Sequence, residues 1–194
     1  GYLLARRGIE VVVLEKHADF LRDFRGDTLH PSTLEVIHQL GWLEEFLQLP
    51  HQRMERLQAE MGGQEMTIAD FTRLPTRCKF MAFMPQWDFL DFLQRKAAAL
   101  PTFTLLMESR VTGLRVDAQQ RVIGVDAMTP QGALQIESDL VVGCDGRHST
   151  VRALAGLQSR GFGAPRDVLW LKIPKQADDP AWSTGHRGPR KNFI

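Results

Sequence analysis

Gly8-Ile9-Glu10-Val11-Val12-Val13-Leu14-Glu15-Lys16 is the stretch that decides the fold. Val11 to Leu14 are β-branched or aliphatic without interruption, as in a strand covered on both faces of a parallel sheet, and the run ends in a charged pair. The residues before it, Gly1 to Arg7, have the pattern of the last two turns of a helix, with Gly8 as its C-terminal cap. A helix leading by a short turn into a buried strand is the second half of a β-α-β unit. The first strand of that unit is therefore expected upstream of Gly1.

Downstream, Arg25–His30 is expected to be a loop leading into a helix over Pro31–Leu40. Pro31 lies near its start, Ser32-Thr33-Leu34-Glu35 matches a capping box, and Gly41 stops it. Two mixed segments between Met54 and Phe71 flank Gly62-Gly63, a hairpin signal. Phe80–Met84 is predicted as a strand, and Trp87–Leu100 as a helix whose Phe89, Leu90, Phe92, Leu93 and Ala97 share one face. Phe103–Met107, Val111–Val116, Val122–Met128 and Leu134–Ile136 follow at close spacing, separated by polar and Gly/Pro turns, and predict an antiparallel meander. Leu140–Cys144 is a second candidate buried strand, running through Asp145-Gly146 into a helix near Ser149. Val168–Ile173 is predicted as a strand of a second domain, and the last twenty residues show no periodicity.

The chain has 194 residues, 43% of them hydrophobic, enough to bury a core. Its 24 basic and 23 acidic residues leave a net charge of +1, so no long-range field is set up for nucleic acid or an anionic membrane. Cys78 and Cys144 form no CxxC pair and no metal-ligand spacing, which fits a reducing, cytoplasmic compartment. No apolar run approaches the roughly 18 residues of a membrane span. The six histidines show no metal spacing, and the methionines are expected to be packing groups.

Two places could carry chemistry. Glu15 sits just past a strand end, where a carboxylate can accept both hydroxyls of an adenosine ribose; the competing reading is a solvated charge. In dinucleotide folds such an acid follows a Gly-rich phosphate loop by about 20 residues, so that loop is expected before Gly1. Gly143-Cys144-Asp145-Gly146-Arg147-His148-Ser149-Thr150-Val151-Arg152 delivers an Asp-Gly pair to a helix N-terminus, a setting suited to a sugar hydroxyl and a pyrophosphate. The competing reading there is a tight turn in which Asp145 and Ser149 bond only to backbone.

Together with Arg25-Gly26-Asp27-Thr28-Leu29-His30-Pro31, these stretches resemble three ordered landmarks of the FAD-dependent aromatic-ring hydroxylases, the para-hydroxybenzoate hydroxylase-like family. The most specific is similar to that family's DG fingerprint, xxGxDGxxSxVR, matched at Gly143, Asp145, Gly146, Ser149, Val151 and Arg152. The resemblance implies an α/β fold: an incomplete, Rossmann-like FAD/NAD(P)-binding domain over 1–165 with an inserted β-meander, and the start of a substrate-domain sheet over 166–194. It implies FAD as cofactor, NAD(P)H as co-substrate and a small aromatic substrate, with no named catalytic side chain because the flavin carries the redox chemistry. Carried onto this chain, it makes Glu15 the ribose acid and Lys16 its neighbour beside the adenine. Arg25 becomes the arginine near the pyrophosphate, Gln86 an FAD contact or an ordinary helix cap, and Val111 a backbone contact to adenine. Asp145 and Gly146 become the cofactor-facing pair of the fingerprint.

The GxGxxG strand and the later GD fingerprint are not found, so the chain by itself is expected to hold FAD poorly and to be inactive. Trp170-Leu171-Lys172-Ile173-Pro174 partly resembles the WxWxIP element of flavin halogenases but lacks the second Trp. A halogenase or reductase on the same scaffold, and a non-catalytic dinucleotide-binding module, are the alternatives that the residues leave open.

Overall fold

A computed structural model describes residues 1–21, 27–61, 63–163, 174, 176, 184–187 and 192–193. Its elements run α1 (Tyr2–Ala5), β1 (Val11–Leu14), β2 (Thr28–Leu29), α2 (Pro31–Gln39), α3 (Leu43–Phe46), β3 (Gln52–Met54), β4 (Arg56–Met61), β5 (Gln64–Asp70), β6 (Met81–Phe83) and α4 (Gln86–Ala98). They continue with β7 (Phe103–Leu106), β8 (Arg110–Val116), β9 (Val122–Thr129), β10 (Gly132–Glu137), α5 (Thr150–Leu154), β11 (Thr184–Arg187) and β12 (Asn192–Phe193). The chain divides into two compact units, one of residues 1–20 and 93–168, the other of residues 21–92 and 169–194.

In the first unit β1 pairs in parallel with β7, Val11 beside Phe103 through Leu14 beside Leu106. α1 ends at Ala5 with Arg6 as its cap residue rather than Gly8, which instead turns the chain toward β1 with a left-handed φ of 80°. The Thr102 hydroxyl donates to the carbonyl of Ala5 (2.8 Å), and the Thr102 carbonyl accepts from the N–H of Val11 (2.9 Å), which ties α1 and β1 to the start of β7. β8, β9 and β10 form the antiparallel meander, in the order β10-β9-β8. Phe103–Met107 does not belong to that meander as the spacing suggested; the turn at 107–109 carries the chain from the parallel pair into the antiparallel sheet. Gly124 is required inside β9, since a Cβ there would be driven into the carbonyl oxygen of Ile136 on β10.

Leu140–Cys144 forms no strand. A strand exists only by pairing with a neighbour, and no strand among the described residues lies beside this one, so Leu140 and Val142 stay 72% and 64% exposed. Val12 is 44% exposed for a related reason: within the described residues β7 is the only strand beside β1.

The second unit buries the large side chains. Phe46 meets the rings of Phe92 and Phe89 edge-on at 5.1 and 5.9 Å, and Trp42 meets Phe92 at 6.0 Å. Leu34, Ile37, Met54, Ala82 and Met84 are buried in the same unit. β6 lies between β2 and β3, so Thr28–Leu29, expected to be loop, is a short strand. The predicted capping box does not form. Pro31 occupies the first helical position of α2 and makes His30 the cap residue, which leaves Ser32 and Glu35 inside the helix. Glu35 instead accepts the backbone N–H of Arg77 (2.9 Å).

The Gly62-Gly63 signal corresponds to the β4–β5 hairpin, with a bulge at Leu57/Gln58. β11 pairs in parallel with β4 and antiparallel with β12, so the C-terminal twenty residues contain strands that their composition did not announce. The predicted strand Val168–Ile173 lies outside the described residues, as do Arg25 and Trp170.

Candidate functional site

Five of the seven predicted site residues lie in the first unit, arranged around β8. Glu15 follows β1 directly, where the parallel ladder ends. Its N–H donates to the carbonyl of Leu106 (3.0 Å) and its carbonyl accepts from the N–H of Ser109 (2.8 Å). Its carboxylate Oε1 accepts the N–H of His17 (2.9 Å), which folds the Glu15–His17 loop over its own strand end. Lys16 is exposed beside it. Val111, half-buried near the start of β8, is two residues beyond Ser109 and pairs with Ala127. Gln86 is the first residue of α4 and belongs to the second unit.

The Gly143–Arg152 loop is built almost entirely from its own fingerprint residues. The Asp145 carboxylate accepts the hydroxyl of Ser149 and the backbone N–H groups of Thr150 (2.6 Å) and Val151 (3.0 Å), the first turn of α5. Ser149 caps that helix, its Oγ accepting the N–H of Arg152 (2.9 Å). The Arg152 guanidinium reaches back to the carbonyl of Arg147 (2.7 Å). Burial of Asp145 opposes its ionisation. The bonds from Ser149, Val151 and Thr150 outweigh that opposition and hold the carboxyl below the ordinary Asp range.

Gly143 is present because the chain passes against Val151, where a Cβ would approach Val151 Cγ1 to 2.9 Å. Gly146 answers a different demand, a φ of 83° with open space beyond it. α5 packs against β8. One strand thus carries Val111, supports the fingerprint helix, and begins at the turn that holds Glu15.

Residues 1–188 match the FAD binding domain family. The chain belongs to that family. Glu15 is an acid directly after a parallel strand, and Gly146 is a glycine with a left-handed φ in the turn before α5.

Among curated relatives, 6-methylpretetramide 4-monooxygenase of Streptomyces rimosus is 33% identical over 176 residues, 90% of this chain and 42% of that protein. Rifampicin monooxygenase of Streptomyces venezuelae is 33% identical over 160 residues, 81% of this chain and 31% of that protein. The chain therefore spans less than half the length of these relatives. The crystal structure of PqsL, a probable FAD-dependent monooxygenase from Pseudomonas aeruginosa, superposes with a TM-score of 0.71 at 24% identity. The superposition covers 84% of this chain and 43% of that one, a likeness of fold.

Sequence reasoning missed the Met107–Ser109 turn beside Glu15. Nothing in Met-Glu-Ser marks it, because the signal is a backbone one: Glu108 has a φ of 51° without being glycine. Among the described residues no group of three or more His, Cys, Asp or Glu could hold a metal ion.

Proposed function

We propose that this chain is the FAD-binding part of an NAD(P)H-dependent monooxygenase that hydroxylates a small aromatic molecule. The observation that carries the reading is that Glu15 is held by the turn leading into β8 while the helix of the Gly143–Arg152 loop packs on β8 itself, within one unit of an FAD-binding domain family member. Glu15 would hold the adenosine ribose, with Lys16 and the Val111 backbone beside the adenine. Arg25 would serve the pyrophosphate, since its guanidinium offers a planar, permanently charged fork. Gly146 would let backbone approach the cofactor, and Gln86 at the head of α4 would add a contact. Asp145 would act by holding the loop that carries Gly146. Bound flavin supplies the redox chemistry; the side chains of this chain bind and orient it. The names of the two Streptomyces relatives support the monooxygenase class.

The test uses the full-length protein. It should purify yellow and oxidise NADH or NADPH faster when phenolic compounds are added. A colourless protein would favour a nucleotide-binding module, and halide-dependent product a halogenase. E15A and R25A should each weaken FAD retention about tenfold or more, the scale of a lost charge-assisted hydrogen bond; unchanged retention would remove those assignments.

A further inference from the structure

Glu15 can meet a ribose only if the loop after β1 is held still, and the turn between β7 and β8 supplies two of the bonds that hold it. Between β7 and β8 the chain passes through Met107-Glu108-Ser109, where Glu108 adopts a left-handed φ of 51°. That conformation turns two consecutive N–H groups toward the Glu15 loop: Glu108 donates to the carbonyl of His17 (3.0 Å) and Ser109 to the carbonyl of Glu15 (2.8 Å). The Glu15 N–H already bonds to Leu106, so the parallel ladder continues one step past β1 with Glu108 as the extra residue, in the manner of a bulge. Ser109 is 3% exposed, and its hydroxyl closes the turn on the carbonyl of Met107 (2.9 Å). Both ends of the Glu15 peptide are thereby clamped, and a residue type that avoids left-handed backbone adopts it where the clamp needs it.

We infer that Glu108, with Ser109, positions Glu15 for nucleotide binding: the left-handed turn sets the place of the carboxylate without touching the ligand. This rests on the ribose role given to Glu15 above. The experiment is a double-mutant cycle in the full-length protein, E15Q against E108V, with dissociation constants measured for FAD and for ADP, which carries the adenosine end alone. Valine resists a positive φ, so E108V should weaken both ligands about tenfold in the wild-type background and add nothing in the E15Q background. E108G, which accepts the conformation freely, should restore both affinities to within about twofold of wild type.

A turn that served only folding would lower the thermal midpoint and weaken binding equally in both backgrounds. That result, or an E108V protein that binds normally, overturns the inference. If E108V does not fold, E108T, β-branched but polar, is put through the same cycle, with a loss expected and the same dependence on Glu15. E15Q binding FAD as wild type would overturn the ribose role itself, and the positioning claim with it. E15Q weakened beside an unaffected E108V would overturn positioning alone.

Discussion

At the scale of single residues, the two acids that stand out in the sequence have different employment. The Asp145 carboxylate is engaged by the hydroxyl of Ser149 and the N–H groups of Thr150 and Val151, the arrangement of a helix cap. The residues Gly143, Asp145, Ser149, Val151 and Arg152 were legible as a fingerprint, but what they build is a loop shape. D145N, which puts a neutral acceptor where a charged one takes three hydrogen bonds, should cost about 1 kcal/mol in urea unfolding at pH 7. The folded-state pKa of Asp145 is depressed, so its contribution is present above the unfolded value of about 3.9 and is lost as pH falls through the lower folded value. Wild type and D145N should therefore converge in stability in acid; a gap that stays constant with pH would rule out the carboxylate as its source.

At the scale of elements, pairing and not composition decided what became a strand. Val11–Leu14 and Leu140–Cys144 are both apolar and β-prone, yet the first finds β7 and forms, while the second has no paired strand among the described residues and forms none. Residues 103–107 show the converse. Their spacing placed them in the meander, but the left-handed Glu108 turn sends them to β1 instead. Within the meander, Gly124 permits β9 and β10 to approach at Ile136. G124A should destabilise by about 1–3 kcal/mol through that overlap, measured by denaturant melting; a change below about 0.5 kcal/mol would mean that the strands separate easily.

At the scale of the whole molecule, the two units differ in how they are held. The second buries large side chains around Phe46 and Phe92, whereas the buried hydrophobic residues of the first are small, Ala5, Ala97, Val125 and Ala127. F92A should cost about 3–5 kcal/mol and abolish cooperative unfolding of the second unit, followed by tryptophan fluorescence through Trp42; a loss below about 1 kcal/mol would mean that the site collapses around the missing ring.

By itself the sequence determined the strand that leads to Glu15, the helix that Pro31 opens, three of the four strands assigned to the meander and the Asp-Gly turn into α5. Each of these depends on periodicity, glycine or proline within a few residues. Only the tertiary structure decided that β7 joins β1, that Thr184–Arg187 pairs with β4, and that β8 links Glu15 to the fingerprint loop. These are choices of partner across many residues of chain, made by hydrogen bonding and close packing between segments, and local residue pattern carries no record of them.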